Sequence, residues 1–183
     1  MRLFLLLLLS IFLITNLLVN DEVCVCTSGQ EREPTAQEYQ KISQALFLFR
    51  LEPDIPAPSF RIKEGYCVNA WADYERNAVV VSKQLLNDHT VEELAGLLGH
   101  EFGHLVLFFK SVRGGEHWRT DIVGAELVGK ELIIKQNRKQ IHYLTLRKEG
   151  WLAYLLPLVR FNYTYAINDY DLRIKKVAEL TPD

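Results

Sequence analysis

The stretch Thr90-Val91-Glu92-Glu93-Leu94-Ala95-Gly96-Leu97-Leu98-Gly99-His100-Glu101-Phe102-Gly103-His104-Leu105-Val106-Leu107-Phe108-Phe109 combines a start signal, a helical period and a pair of imidazoles. Thr90 with Glu93 three residues later forms a capping box, in which each side chain satisfies a backbone N–H at the helix start. No proline interrupts Val91 to Phe109, and Leu98, Phe102, Leu105 and Phe109 recur at the spacing of one helical face. A helix over 91–109 is predicted. On it, His100 and His104 stand four residues apart, so both rings project from one face and could bind one metal ion.

Glu101 sits one position around from His100, too far to complete the ligand set but placed to accept a proton from water held at the metal. Such a site hydrolyses peptide bonds when Glu101 acts as general base and returns the proton to the leaving amine. One Zn2+ per chain is the expected ion, because two imidazoles four apart suit its tetrahedral nitrogen coordination. A catalytic zinc needs a third protein ligand, and the nearest downstream candidates are Glu116, His117 and Asp121. His117 and Asp121 share a face if their stretch is helical, so one could ligate while the other hydrogen-bonds to a ligand. His117 is favoured as ligand, with Glu116 and Asp121 as the alternatives.

Upstream, Thr35 and Glu38 form another capping box, opening a helix with Tyr39, Ile42, Leu46 and Phe49 on one side and an expected end near Glu52. Pro53, Pro56 and Pro58 then force an extended connection. From Phe60 to Ser82 the pattern is strand-like, with Tyr74-Glu75-Arg76-Asn77 as the turn of a hairpin. Downstream, Gly114-Gly115 breaks the chain, and residues near Glu116 to Lys139 are expected to form one helix. The apolar stretch Trp151 to Phe161 is short for a membrane span and suits a core helix. Asn168 or Asp169 would cap a last helix ending near Leu180. His142 and Tyr143 are the polar groups that could reach an oxyanion, and His89 is expected in a turn.

With 49% hydrophobic and 24% charged residues among 183, the chain has ordinary globular composition. Its 21 Lys and Arg nearly balance 23 Asp and Glu, so no field of one sign points to nucleic acid as a partner. Arg2 followed by the apolar run from Leu3 to Val19 resembles a signal peptide or membrane anchor, which predicts an extracytoplasmic location and possible membrane association through residues 3–19. Residues 1–20 would be that segment, 21–34 a linker and 35–183 one catalytic domain. Export would permit one disulfide from Cys67 to Cys24 or Cys26, leaving one thiol over; the alternative is that all three stay reduced.

Asn69-Ala70-Trp71-Ala72, the strand Ala78-Val79-Val80-Val81-Ser82 with Leu85-Leu86, the approach Val91-Glu92-Glu93-Leu94-Ala95 into the His100–His104 motif, and the block from His117 through Asp121 to Ala125 follow one another along the chain. In that order they resemble the family of the heat-shock protease HtpX and the CAAX prenyl endopeptidase, over about residues 60 to 130. The resemblance implies an α+β, zincin-like fold of gluzincin type, a small sheet beside the zinc helix with further helices C-terminal. It implies a zinc metalloendopeptidase whose extended polypeptide substrate pairs with an edge strand, which residues 78 to 82 would supply. At position 117 the family has glutamate where this chain has histidine. Asp171-Leu172-Arg173-Ile174 is similar to a C-terminal Arg-Ile segment of the family, but the His-Pro pair expected before it is absent, and Arg173 is given no catalytic role. A rival reading is a catalytically inactive, metal-stabilised peptide-binding module.

Overall fold

A computed structural model of the chain describes residues 29–50, 56–65, 69–112, 117–150 and 157–180. The apolar N-terminal segment, Cys24, Cys26, Cys67, Gly114, Gly115, Glu116 and Trp151 to Leu156 lie outside them. The described residues form an α+β fold: β1 (Glu31–Arg32), α1 (Ala36–Leu46), β2 (Ser59–Lys63), β3 (Ala70–Asp73), β4 (Ala78–Ser82), α2 (Lys83–Asp88), α3 (Val91–Phe109), α4 (His117–Val128), α5 (Lys130–Lys148) and α6 (Pro157–Ala178).

The sheet has the order β1-β2-β4-β3, with β2 and β4 parallel and the two outer pairings antiparallel. The β3–β4 hairpin forms as the sequence predicts. Asn77 closes its turn with φ 46°, a left-handed conformation that asparagine tolerates better than most residues. The expectation that residues 78–82 form the edge strand is corrected: among the described residues β4 is central, and β3 is the outer strand on the side of α3. All five residues of β4 are buried, Val79 to Val81 completely. An unbroken β-branched run marks a strand covered on both faces, which belongs in the middle of a sheet rather than at its rim.

Both capping boxes are present, Thr35 with Glu38 and Thr90 with Glu93. Helix α1 stops at Leu46 rather than near Glu52, because Leu48 and Phe49 donate to Ala45 and Leu46 in tight three-residue turns. The stretch expected as one helix from Glu116 to Lys139 is two, α4 and α5, parted at Gly129 with φ 90°, a conformation glycine takes without strain. Nor do Asn168 and Asp169 cap a helix. Both lie inside α6, which Pro157 opens, a residue suited to the first helical position. Phe109, expected on the buried face of α3, is 43% exposed, whereas Leu98, Phe102 and Leu105 are in the core.

Glu31 and Arg32, within the stretch expected as linker, pair with β2, and Arg32 joins three elements. Its guanidinium donates to both oxygens of Glu38 at 2.7 Å and to Glu64 at 2.8 Å. The bond to Arg32 holds the Glu38 carboxyl at about 2, against an ordinary 4.5. A carboxyl depressed on folding adds stability above its unfolded pKa and loses it as the pH falls through the folded value. Arg32→Ala is therefore expected to lose about 1 kcal/mol at pH 7, the scale of a partly exposed pair. The deficit should fade between pH 4.5 and about 2 in denaturant titrations.

Candidate metal centre and catalytic groups

Helices α3 and α4 touch backbone to backbone, and this contact assembles the site. A Cβ added at Gly103 would lie 2.4 Å from the Thr120 carbonyl oxygen, and one at Gly124 would lie 2.8 Å from that of Gly99. Only glycine fits such approaches. The seam carries His117, Thr120 and Asp121 of α4 against His100 and His104 of α3.

His100 and His104 have ring centroids 4.7 Å apart, and their Nε2 atoms converge to 3.2 Å. His117, exposed at the first turn of α4, faces both, with centroids at 5.9 Å and 5.8 Å. Among the described residues, no three His, Cys, Asp or Glu side chains already stand together at ligating distance. The arrangement is a tight pair with a third ring turned toward it. Burial lowers the pKa of both His100 and His104, and it brings His104, with its histidine neighbours, to about 3. Both rings are thus neutral. His100 gives its Nδ1 proton to Asp121 at 2.6 Å, and Thr120 Oγ1 stands 3.4 Å from His104 Nδ1. His100 Nε2, left with its lone pair when Nδ1 donates to Asp121, stands 3.2 Å from His104 Nε2, a separation at which two imidazoles can bind one tetrahedral ion. The donor set fits a divalent ion such as zinc.

Asp121 is completely buried, and all of its hydrogen-bonding capacity is used. Oδ1 accepts from His100 and from Arg173 Nη2 (3.0 Å), and Oδ2 accepts from Arg173 Nε (2.6 Å) and Asn137 Nδ2 (2.8 Å). Burial would raise this carboxyl, but the bonds from His100 and Arg173 outweigh it and hold Asp121 well below the usual carboxylate range. Arg173 is 5% exposed and lies over the Tyr170 ring at 4.3 Å. This arginine, without a role on sequence grounds, is therefore built into the site through Asp121. Asn137 carries no sequence signal at all, and for Arg173 the Arg-Ile likeness is the signal available.

Glu101 is 7% exposed. Burial pushes its carboxyl up to about 8, against the opposing effect of a hydrogen bond from the Ala72 backbone. That bond locates the outward edge of β3. Asn69 accepts from Ser82 in the ladder, so by the alternation of an antiparallel pair Ala70 and Ala72 turn their backbone groups away from β4, toward α3. His142 and Tyr143 are exposed on α5, and none of the contacts described around the histidines involves them. His89 caps the end of α2 and is buried, with neither ring nitrogen hydrogen-bonded among the described residues.

The fold and site define a class: an α+β domain with a histidine-pair helix whose intervening glutamate touches a sheet edge. Residues 36–108 match the profile of Peptidase family M48. Two proteins described as "Protease HtpX homolog", from Dictyoglomus turgidum and Dictyoglomus thermophilum, are each 27% identical to the chain over 143 residues, 76% of its length. Over these residues the chain is similar to Peptidase family M48 and to these HtpX homologues. The match spans 44% of each of those relatives, less than half their length.

Proposed function

We propose that the chain is a zinc-dependent metalloendopeptidase with a zincin-like arrangement, in which His100, His104 and His117 would hold one zinc ion and Glu101 is the general base. The observation that carries this reading is the meeting of two convergent imidazoles with a buried carboxyl group at the outer edge of β3. Bound zinc would supply Lewis-acid polarisation of a carbonyl and lower the pKa of water to about 7. Glu101 takes the proton from the attacking water and passes it to the leaving amine. Its raised pKa suits both halves of that transfer near neutral pH. Asp121 fixes the His100 tautomer and ring, and Arg173 and Asn137 fix Asp121. An extended polypeptide would add to the sheet along β3, drawing the Ala70 and Ala72 N–H groups from Asn69 Oδ1 and Glu101 and gaining affinity from backbone pairing with little dependence on sequence. The apolar segment 3–19 would place this activity outside the cytoplasm, at or near a membrane.

Histidine at position 117, where the resemblance implies glutamate, favours one other reading: a metal-stabilised module that binds peptides without cleaving them. Full-length protein loaded with zinc separates the two. The peptidase reading expects about one zinc per chain by elemental analysis, casein cleavage that a chelator stops, and loss of both in His104→Ala. Stoichiometric zinc with no cleavage of any polypeptide would leave the binding module standing.

A further inference from the structure

Three aromatic rings remain exposed in one patch beside the site: Tyr74 at 41%, Phe108 at 52% and Phe109 at 43%. Tyr74 and Phe108 stack at 4.9 Å with an interplanar angle of 29°, and Phe109 meets the Phe108 ring edge-on at 5.7 Å. Two elements converge here. Tyr74 directly follows the last residue of β3, and Phe108 lies one turn beyond His104 on the face of α3 that carries His100 and His104. Tyr74 is also close enough to Glu101 for that carboxylate to add to the effect of burial on its hydroxyl. Scattered exposed apolar residues need no explanation, but a contiguous aromatic surface joined to reactive groups does.

We infer that the Tyr74–Phe108 stack is a substrate subsite that takes an aromatic or large aliphatic side chain of the polypeptide, on the amino-terminal side of the bond that is cut. This rests on the peptidase reading above. The occupant follows from continuity with the strand edge. A chain paired antiparallel to β3 runs from Tyr74 toward Ala70, so the residues passing Tyr74 precede those beside Glu101. Ring surfaces of this kind add stacking energy to burial, which backbone pairing alone does not provide. The edge strand would thus hold any extended chain, while the stack sets where along it cleavage falls.

The test uses the zinc-loaded full-length protein, a mixed peptide library read by mass spectrometry, and a matched pair of peptides with Phe or Ala before the cut. Phe, Tyr and Leu should be enriched within about three residues on the amino-terminal side, the stretch that Tyr74 and Phe108 can reach. The Phe peptide should be favoured about 10–100-fold in kcat/KM, the range one apolar pocket provides. F108S and Y74S, both at exposed positions, should each remove most of that preference and leave turnover of the Ala peptide unchanged. No preference in the unmodified protein, enrichment only on the carboxyl side, or equal slowing of both peptides in the variants would overturn the subsite. If the protein cuts nothing, the peptidase reading fails by itself, and binding of the two peptides labelled with a fluorophore decides the subsite. Tighter binding of the Phe peptide, abolished by F108S, sustains it; equal binding overturns it.

Discussion

Replacing Asp121 with alanine is expected to destabilise the fold by about 3–5 kcal/mol, the cost of leaving a buried charge without its partner. Arg173 would keep its guanidinium inside the protein with neither oxygen of its bidentate acceptor. Asn137 would lose its acceptor as well. His100 would be free to rotate or to switch tautomer, and zinc affinity should fall by about 10–100-fold, as it does when a group orienting a ligand is lost. Urea denaturation of the metal-free protein reads the first effect, and competition with a chromogenic chelator reads the second. Asp121→Ala combined with Arg173→Met separates them, since it removes the orphaned charge and should recover much of the stability but none of the metal affinity. Unchanged stability in the single variant would refute the placement of the pair in the core.

Glu101→Gln is expected to lower kcat by about 10²–10⁴-fold, the usual worth of a general base, with zinc stoichiometry unchanged. Equal casein cleavage by the two proteins would remove Glu101 from the chemistry. The same substitution has a thermodynamic signature in the metal-free protein. Burial raises the Glu101 carboxyl from 4.5 to about 8. A carboxyl raised on folding favours the native state at low pH and penalises it progressively as pH climbs from the unfolded to the folded value. A neutral amide in its place carries no such penalty. The variant should match the unmodified protein near pH 4 and exceed its stability by on the order of a few kcal/mol at pH 8 and above.

The parts of this molecule legible in the sequence are those governed by neighbours in the chain. The capping boxes at Thr35 and Thr90, the span of α3 and the Tyr74–Asn77 turn each depend on residues within one or two turns, and all stand where the pattern puts them. What stays hidden in the sequence is tertiary. That β2 runs parallel to β4, and so pushes β3 to the rim, depends on a pairing between strands separated in sequence by β3. Position 129 reads like any helical glycine, and its left-handed backbone emerges only in the folded chain. Asn137 and Arg173 meet Asp121 from α5 and α6, and no local spacing encodes that meeting. Likewise, the histidines are plain from their four-residue interval, but that His100 rather than His104 is the ring held by Asp121 follows only from the α3–α4 seam.

The dependence of His100 on Asp121, and of Asp121 on Arg173, also sets an order in time. A ribosome delivers the motif helix long before α6, so a nascent chain carries its two imidazoles and Glu101 with nothing to lock them. Only after position 173 has emerged and α6 has docked can the carboxylate be closed and the ring held still. On the peptidase reading proposed above, synthesis itself would delay the finished site until the surrounding domain has formed, and would shield the half-made chain and its neighbours from premature cutting.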